Sequence, residues 1–197
     1  MARHLGEADA REERGESHLW LVWVLVLGVV GALLLRTFVI GAYYVPSGSM
    51  LDSIQEGDLI LGERVTLAWD GPDPGDVVTF DSPLAVGETL VKRVVAVGGQ
   101  TIDLRDGVVY VDGEALEEPY VRIDSATGEP ERTDSLSGLA GSAGITYPYT
   151  VPEGTVWVMG DNRTNSKDSR FFGPVSVDDV TSRVLFIYWP LSHAGTL

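Results

Sequence analysis

The order of apolar and polar positions divides the chain into one long apolar segment near its start and a series of short apolar runs. From Leu19 to Leu35 there is no charged residue, and after two polar residues apolar character resumes through Tyr44. A helix of about 20 residues crosses a hydrocarbon core of about 30 Å, and no polar stripe marks any face of this segment. Its bulk and length exceed those of a cleaved secretory signal. The pattern therefore predicts a single transmembrane helix over residues 19–40.

Beyond residue 41, short apolar runs alternate with clusters of glycine, proline and aspartate, which is typical of antiparallel strands joined by turns. Asp106-Gly107 and Asp112-Gly113 are tight-turn signals. Residues 124–146 are rich in serine, glycine, threonine and acidic residues, which predicts a long exposed loop. The sequence predicts a mainly β domain over residues 41–197, with no helix and no repeat. The apolar runs are Leu59–Leu61, Val77–Phe80, Val94–Val97, Val108–Val111, Val156–Met159 and Val184–Trp189.

Basic residues are distributed unevenly about the predicted helix. Arg3, Arg11 and Arg14 precede it, whereas Arg36 is the only basic residue just after it. Because segments rich in Lys and Arg remain in the cytoplasm, the N-terminus is predicted to be cytoplasmic, and residues 1–18 form a charged, poorly ordered tail. The β domain is then extracytoplasmic.

The composition removes much of the usual catalytic repertoire. The 197 residues include no cysteine, three histidines, all near the chain ends, and two lysines, Lys92 and Lys167. A thiol nucleophile is therefore excluded, and a Ser-His-Asp triad or a histidine metal site would have to be built from the chain termini. A formal charge of −15 argues against nucleic acid as a partner, because phosphate binding needs clustered Lys and Arg. We expect no metal and no cofactor.

Lys92 is the candidate base. It lies in an apolar run where period-two alternation places it on one face with Val94 and Ala96. An ammonium among aliphatic side chains loses hydration, so its pKa falls and the neutral amine can accept a proton. The alternative is an edge lysine whose ammonium extends into water. Since no histidine is suitably placed, Lys92 remains the candidate for activating a serine hydroxyl.

The candidate serine lies in the string Pro46-Ser47-Gly48-Ser49, shortly after the predicted helix. Gly48 permits a tight turn, and the Ser49 N–H together with the Ser47 hydroxyl would suit the negative charge that develops on a carbonyl oxygen. Such a string is also common in ordinary turns. At about 3.3 Å per extended residue, Ser49 lies no more than about 30 Å from the end of the membrane span.

Four motifs, in this order, resemble those of bacterial type I signal peptidases. They are Ser-Gly-Ser-Met at 47–50, Pro-Gly-Asp-Val-Val-Thr-Phe at 74–80, Lys-Arg-Val-Val-Ala-Val-Gly at 92–98, and Gly-Asp-Asn-Arg-Thr-Asn-Ser-Lys-Asp-Ser-Arg at 160–170. The resemblance is weakest over residues 101–150. It implies an all-β fold of coupled antiparallel sheets and an endopeptidase that removes signal peptides from secretory preproteins after a small-x-small motif, typically Ala-x-Ala.

Transferred to the matching positions, the resemblance implies Ser49 as nucleophile and Lys92 as general base. Ser47 would contribute its hydroxyl to an oxyanion hole made with the Ser49 N–H. Ser166 would hydrogen-bond the Lys92 amine and orient it. Asp168 and Arg170 would form an ion pair behind the site. The supporting residues of the last motif are Asp161, Asn162, Arg163, Asp168 and Arg170.

Two valines, and one segment that differs from the family's usual sequence, bear on substrate preference. Val45 and Val91 adjoin the reactive pair, and we expect them to form shallow apolar pockets that exclude bulky side chains. The chain reads Leu51-Asp52-Ser53-Ile54 where the family commonly has Pro-Thr-Leu. The missing proline is expected to loosen the chain after the nucleophile.

Two other interpretations remain open at this point. The domain could be a membrane-anchored binding or assembly module of the same fold, in which Ser49 is inert and Lys92 has an ordinary pKa. Ser/Lys chemistry also occurs in self-cleaving repressors of related fold, but an apolar segment occupies the place of their DNA-binding domain. The favoured hypothesis is a monomeric peptidase that is held in the lipid bilayer of the plasma membrane by its single helix.

Overall fold

The computed structural model describes residues 5–197. The chain divides into two compact units, one containing helix α1 (Leu5–Phe38) and the other spanning Ile40–Leu197. Within the described residues, α1 holds the one segment that is long and apolar enough to cross a membrane, Leu19–Arg36. The helix begins well before the predicted span, because residues 5–18 are rich in Ala, Glu and Arg, which favour helix. Residues 1–4 of the predicted tail lie outside the described residues.

The second unit is mainly β, as predicted, and its strands form two antiparallel sheets. The strands are β1 (Ile40–Tyr44), β2 (Leu59–Glu63), β3 (Val77–Asp81), β4 (Thr89–Val97), β5 (Thr101–Arg105), β6 (Val108–Val111), β7 (Glu114–Ala115), β8 (Tyr149–Thr150), β9 (Thr155–Met159), β10 (Val175–Ser176), β11 (Val180–Trp189) and β12 (Gly195–Thr196). The larger sheet has the order β1-β2-β11-β3-β4-β9-β10, with β12 paired to β11, and the smaller has the order β7-β6-β5-β8.

The predicted strands and turns are confirmed. Each apolar run falls within a strand, and the Asp-Gly pairs join β5 to β6 and β6 to β7, with positive φ at all four residues. Such paired positive φ angles are what a two-residue hairpin turn requires. The sequence did not predict two short helices, α2 (Val65–Asp70) and α3 (Ser169–Phe172), because a helix of four to six residues is too short to display a 3.6-residue period.

Strand β4 contributes to all three apolar clusters of the core. Val91 packs against the cluster around Met50 and Ile54, and Val94 belongs to the cluster of β3 and β9. Ala96 lies in the third cluster together with its neighbour Val95, and not with Val94 as strict alternation predicted. The reason is a register shift against β9 between Val94 and Ala96, which breaks the two-residue period.

The long connection between β7 and β8 contains the predicted 124–146 loop. Residues 124–146, all of them described, form no strand or helix, although Pro130 makes an isolated antiparallel bridge with Ile123. The loop is not simply exposed, because Thr133 is buried and its N–H donates to Gly107 O at 2.9 Å. Ala143 N likewise donates to Phe171 O at 2.7 Å. These backbone hydrogen bonds hold the connection against the rest of the domain.

Candidate active site

Ser49 and Lys92 meet in direct contact. Ser49 follows β1, and Lys92 lies in β4 opposite Val78 of β3. Lys92 Nζ donates to Ser49 Oγ at 2.6 Å and to the carbonyl oxygen of Val91 at 2.9 Å. Ser49 is 9% exposed and Lys92 is 3% exposed. The two residues are 43 positions apart, so the fold brings together a hydroxyl and an amine at a distance suited to proton transfer.

The environment of Lys92 disfavours its charged form. Burial lowers the pKa of Lys92 to about 8, even though the negative charges of Asp168, Asp161 and Glu88 act to raise it. An amine with this pKa is partly neutral near physiological pH, whereas a hydrated lysine is almost fully charged there. Lys167, the other lysine, is exposed. Of the two lysines, Lys92 is therefore the buried one, and its surroundings favour the neutral amine.

A cleft of about 330 Å³ opens beside this pair. Val45 and Val91 both line it, as do Ser47 and Ser49. Ser47 is exposed in the cleft, whereas Val45 is buried in its wall.

The two strands that border the cleft leave backbone edges open. Strand β1 is the outermost strand of its sheet. In β4, residues 89–92 pair with β3 on one side, and β9 pairs with β4 only from Arg93 onward. Within the described residues these two edges have no strand partner. An extended peptide can pair with such edges.

Asn162 holds the turn that carries Ser49. Its backbone N–H donates to Ser49 O at 3.1 Å, and its side-chain Nδ2 donates to Gly48 O at 2.8 Å. On the other side of the nucleophile, Ile54 N donates to Met50 O at 2.8 Å, and both side chains are fully buried. The segment that stands where the family commonly has proline thus begins and ends next to buried core residues.

Ser166 occupies a different position from the one the resemblance implied. Its Oγ is buried and donates no hydrogen bond to the Lys92 amine, whose own hydrogen bonds go to Ser49 Oγ and Val91 O. A β-carbon on Gly160 would collide with Ser166 Oγ and approach Ser49 O to 2.5 Å. Because Gly160 has no side chain, Ser166 packs beside the main chain of Ser49, close to the site but not on the amine.

Asp168 and Arg170 form the predicted ion pair, and both are buried. Arg170 Nη2 and Nε donate to the two carboxylate oxygens at 2.8 and 2.9 Å, and Arg170 N donates to Asp168 Oδ1 at the start of α3. Gly160 N donates to Asp168 Oδ2 at 3.1 Å. Burial acts to raise the pKa of Asp168, but the charge and hydrogen bonds of Arg170 outweigh it and hold that pKa below its usual range. The pair therefore anchors the motif as ionised groups.

Two further ion pairs involve residues that the sequence did not identify. Arg93 binds Asp161 through two hydrogen bonds of 3.0 and 2.7 Å, and Glu118 binds Arg163 through two of 2.6 and 3.0 Å. Arg93 could have been suspected because it follows Lys92, but Glu118 lies in the stretch where the resemblance is weakest. Among the described residues, no group of three or more His, Asp or Glu side chains is arranged to hold a metal ion.

A serine hydroxyl in contact with a buried lysine amine is an arrangement that can make the hydroxyl nucleophilic. The family model described as signal peptidase, peptidase S26, matches residues 18–189. The probable signal peptidase I-1 of Synechocystis sp. is 35% identical over 181 residues, covering 88% of this chain and 84% of that protein. The signal peptidase I of Bacillus caldolyticus is 32% identical over 187 residues, covering 93% and 95%.

A crystal structure of a signal peptidase I from Enterococcus faecalis V583 is 33% identical and matches 57% of this chain and 95% of its own, with a TM-score of 0.46. The family model covers well over half of the chain, so the chain belongs to the signal peptidase family, peptidase S26. It is a serine peptidase and therefore a hydrolase.

Proposed function

We propose that this peptidase cleaves the signal peptides of exported preproteins with Ser49 as nucleophile and Lys92 as general base. The observation that carries the proposal is the 2.6 Å contact between Lys92 Nζ and Ser49 Oγ within a buried setting. Neutral Lys92 accepts the hydroxyl proton as Ser49 Oγ attacks the scissile carbonyl carbon. The resulting ammonium then protonates the leaving amine, and the acyl-enzyme is hydrolysed by a water molecule that Lys92 deprotonates in turn.

The oxyanion of the tetrahedral intermediate is bound by the Ser49 N–H and the Ser47 hydroxyl. Ser47 lines the same cleft as Ser49, which supports this role. Hydrogen-bond donors aimed at a developing negative charge lower the barrier more than donors that only bind the ground state. Asn162 supports the hole indirectly, because its two hydrogen bonds fix the backbone of the turn that presents it.

The substrate preference is for small side chains before the cleaved bond, as in Ala-x-Ala. Val45 and Val91 stand in the cleft wall beside the reactive pair, so a bulky side chain meets aliphatic carbon there. The open edges of β1 and of residues 89–92 suit a preprotein segment bound as an extended strand. Main-chain pairing of this kind binds many sequences, while the shallow pockets select at alternate positions.

The enzyme works as a monomer held in the lipid bilayer by Leu19–Arg36, with its N-terminus in the cytoplasm and its β domain outside. The arginine bias across this segment supports the orientation. No cofactor enters the reaction.

The test is cleavage of a preprotein that ends its signal in Ala-x-Ala, using the full chain in detergent micelles. Ser49→Ala and Lys92→Ala are each expected to abolish cleavage. Lys167→Ala is the matched control, since it removes the other lysine, which is exposed, and it is expected to retain activity. A substrate with leucine in place of the last alanine is expected to remain uncut. Full activity in either dyad variant would refute the proposed roles of Ser49 and Lys92, whereas no cleavage by the wild type would favour a module with an inert serine.

A further inference from the structure

A short turn, residues 118–122, lies against the motif that supports the active site. We call it the strap. Glu118 makes its two hydrogen bonds to Arg163, and the Arg122 N–H donates to Asp161 O at 3.1 Å. Between them, the ring of Tyr120 lies 4.0 Å from the guanidinium carbon of Arg93. Each of these contacts reaches a residue within one of the four motifs, at 92–98 or 160–170.

The contact between Tyr120 and Arg93 is the one nearest to the base. Arg93 follows Lys92 directly in β4, and its guanidinium donates to both oxygens of the buried Asp161. The aromatic face of Tyr120 lies over the guanidinium of Arg93. The ring attracts this cation and limits its contact with water. The ring thus helps to keep Arg93 on Asp161.

Asp161 in turn acts on Lys92. The charged groups that influence Lys92 are Asp168, Asp161, Glu88 and Arg170. A carboxylate that is fully neutralised by its own arginine stabilises a neighbouring ammonium less than a free carboxylate does. Loosening of Arg93 therefore leaves more negative charge facing Lys92, and the amine becomes harder to deprotonate.

We propose that Tyr120 is a positioning residue of the peptidase, which holds Arg93 on Asp161 and thereby keeps Lys92 in the state needed to activate Ser49. This rests on the proposed roles of Ser49 and Lys92. The strap does not line the cleft beside the dyad. Tyr120 consequently affects the chemical step and leaves substrate binding unchanged.

The experiment compares kcat and KM across pH for Tyr120→Leu and Tyr120→Phe. Phenylalanine keeps the ring over Arg93 and is expected to keep the wild-type profile. Leucine is expected to lower kcat by about fivefold at neutral pH with KM unchanged, and to shift the midpoint of the profile to higher pH. The two variants are expected to converge at alkaline pH, where Lys92 is neutral in both.

Val121→Ala is the matched structural control, because Val121 is buried in the same strap and its aliphatic side chain carries neither a charge nor an aromatic face. It is expected to lower the unfolding temperature without moving the pH midpoint. If Tyr120→Leu does not fold, Tyr120→Met takes its place, since it retains an apolar side chain without an aromatic face. A leucine or methionine profile that superimposes on that of Tyr120→Phe overturns the proposal. Ser49→Ala is measured in the same series, and activity in that variant would refute the dyad itself, independently of the strap.

Discussion

Replacing Lys92 with methionine is expected to inactivate the peptidase and to stabilise its fold. Methionine has a similar length and no charge, so it fills the site that Lys92 occupies at 3% exposure. Burial lowers the pKa of Lys92 from 10.5 in the free side chain to about 8. Below that pH the folded protein holds an ammonium in a site that disfavours it, and the substitution removes this penalty.

The magnitude follows from proton linkage. Between pH values of about 8 and about 10.5 the unfolded chain binds a proton at Lys92 that the folded chain has lost, so raising the pH stabilises the fold. Each pH unit above the pKa of Lys92 in the folded protein adds about 1.4 kcal/mol to the free energy of unfolding. The wild type is therefore expected to gain about 1.4 kcal/mol relative to Lys92→Met between about pH 6 and about pH 9.

The assay is urea unfolding of both proteins in micelles at these two pH values. Lys92→Met is expected to be the more stable protein at the lower pH, with the difference shrinking at the higher pH. Packing differences between the two side chains cancel in this comparison, because they are the same at both pH values. A stability difference that does not change with pH would refute the argument that burial depresses the pKa of Lys92.

Three further predictions concern the surroundings of the dyad. Gly160→Ala is expected to reduce cleavage by about 100-fold, because its β-carbon would approach Ser49 O to 2.5 Å and displace the nucleophile; unchanged turnover by the purified variant would contradict this. Asp168→Asn is expected to destabilise the fold by about 3–5 kcal/mol in urea unfolding, because Arg170 is left buried without its charged partner. Because the pKa of Asp168 is held below its usual range, the stability it provides is present above the ordinary carboxyl pKa and is lost as pH falls through the folded value. The asparagine variant is expected to lack this acid loss, and an equal loss in both proteins would count against the ion pair. Wild-type kcat/KM is expected to rise with pH to a half-maximum near about 8, as Lys92 loses its proton, and a flat profile would exclude a titrating base.

The strands could be predicted from sequence because their signals are local. Apolar alternation and Asp-Gly turns are read over a few residues, and the hairpins at Asp106-Gly107 and Asp112-Gly113 follow from them. Strand β1 was harder to recognise, since its apolar residues continue from the preceding apolar helix with only one residue between the two elements. The prediction that Ala96 shares a face with Val94 was wrong, because a register shift between two strands cannot be recognised from the sequence of one apolar run.

The sequence pointed to the residues of the candidate site that lie in recognisable motifs. Ser49 and Lys92 are marked by their motifs and by the scarcity of lysine, although 43 residues separate them. Glu118 and Tyr120 lie outside the four motifs, so the sequence does not point to them. Their contacts with Arg163 and Arg93 exist only in the folded chain. Ser166 shows the converse, since its motif brings it close to the main chain of Ser49, but the expected hydrogen bond to the Lys92 amine is not formed.

The proposed mechanism requires Lys92 to be a neutral amine at a pH where an ordinary lysine is charged. Because the chain contains only Lys92 and Lys167, protein labelled with ¹³C at the lysine ε-carbons gives two NMR signals, and Lys167→Ala assigns them. The Lys92 signal is expected to titrate with a midpoint of about 8. A Lys92 midpoint at the free-lysine value of 10.5 would contradict the proposed role of Lys92 as general base.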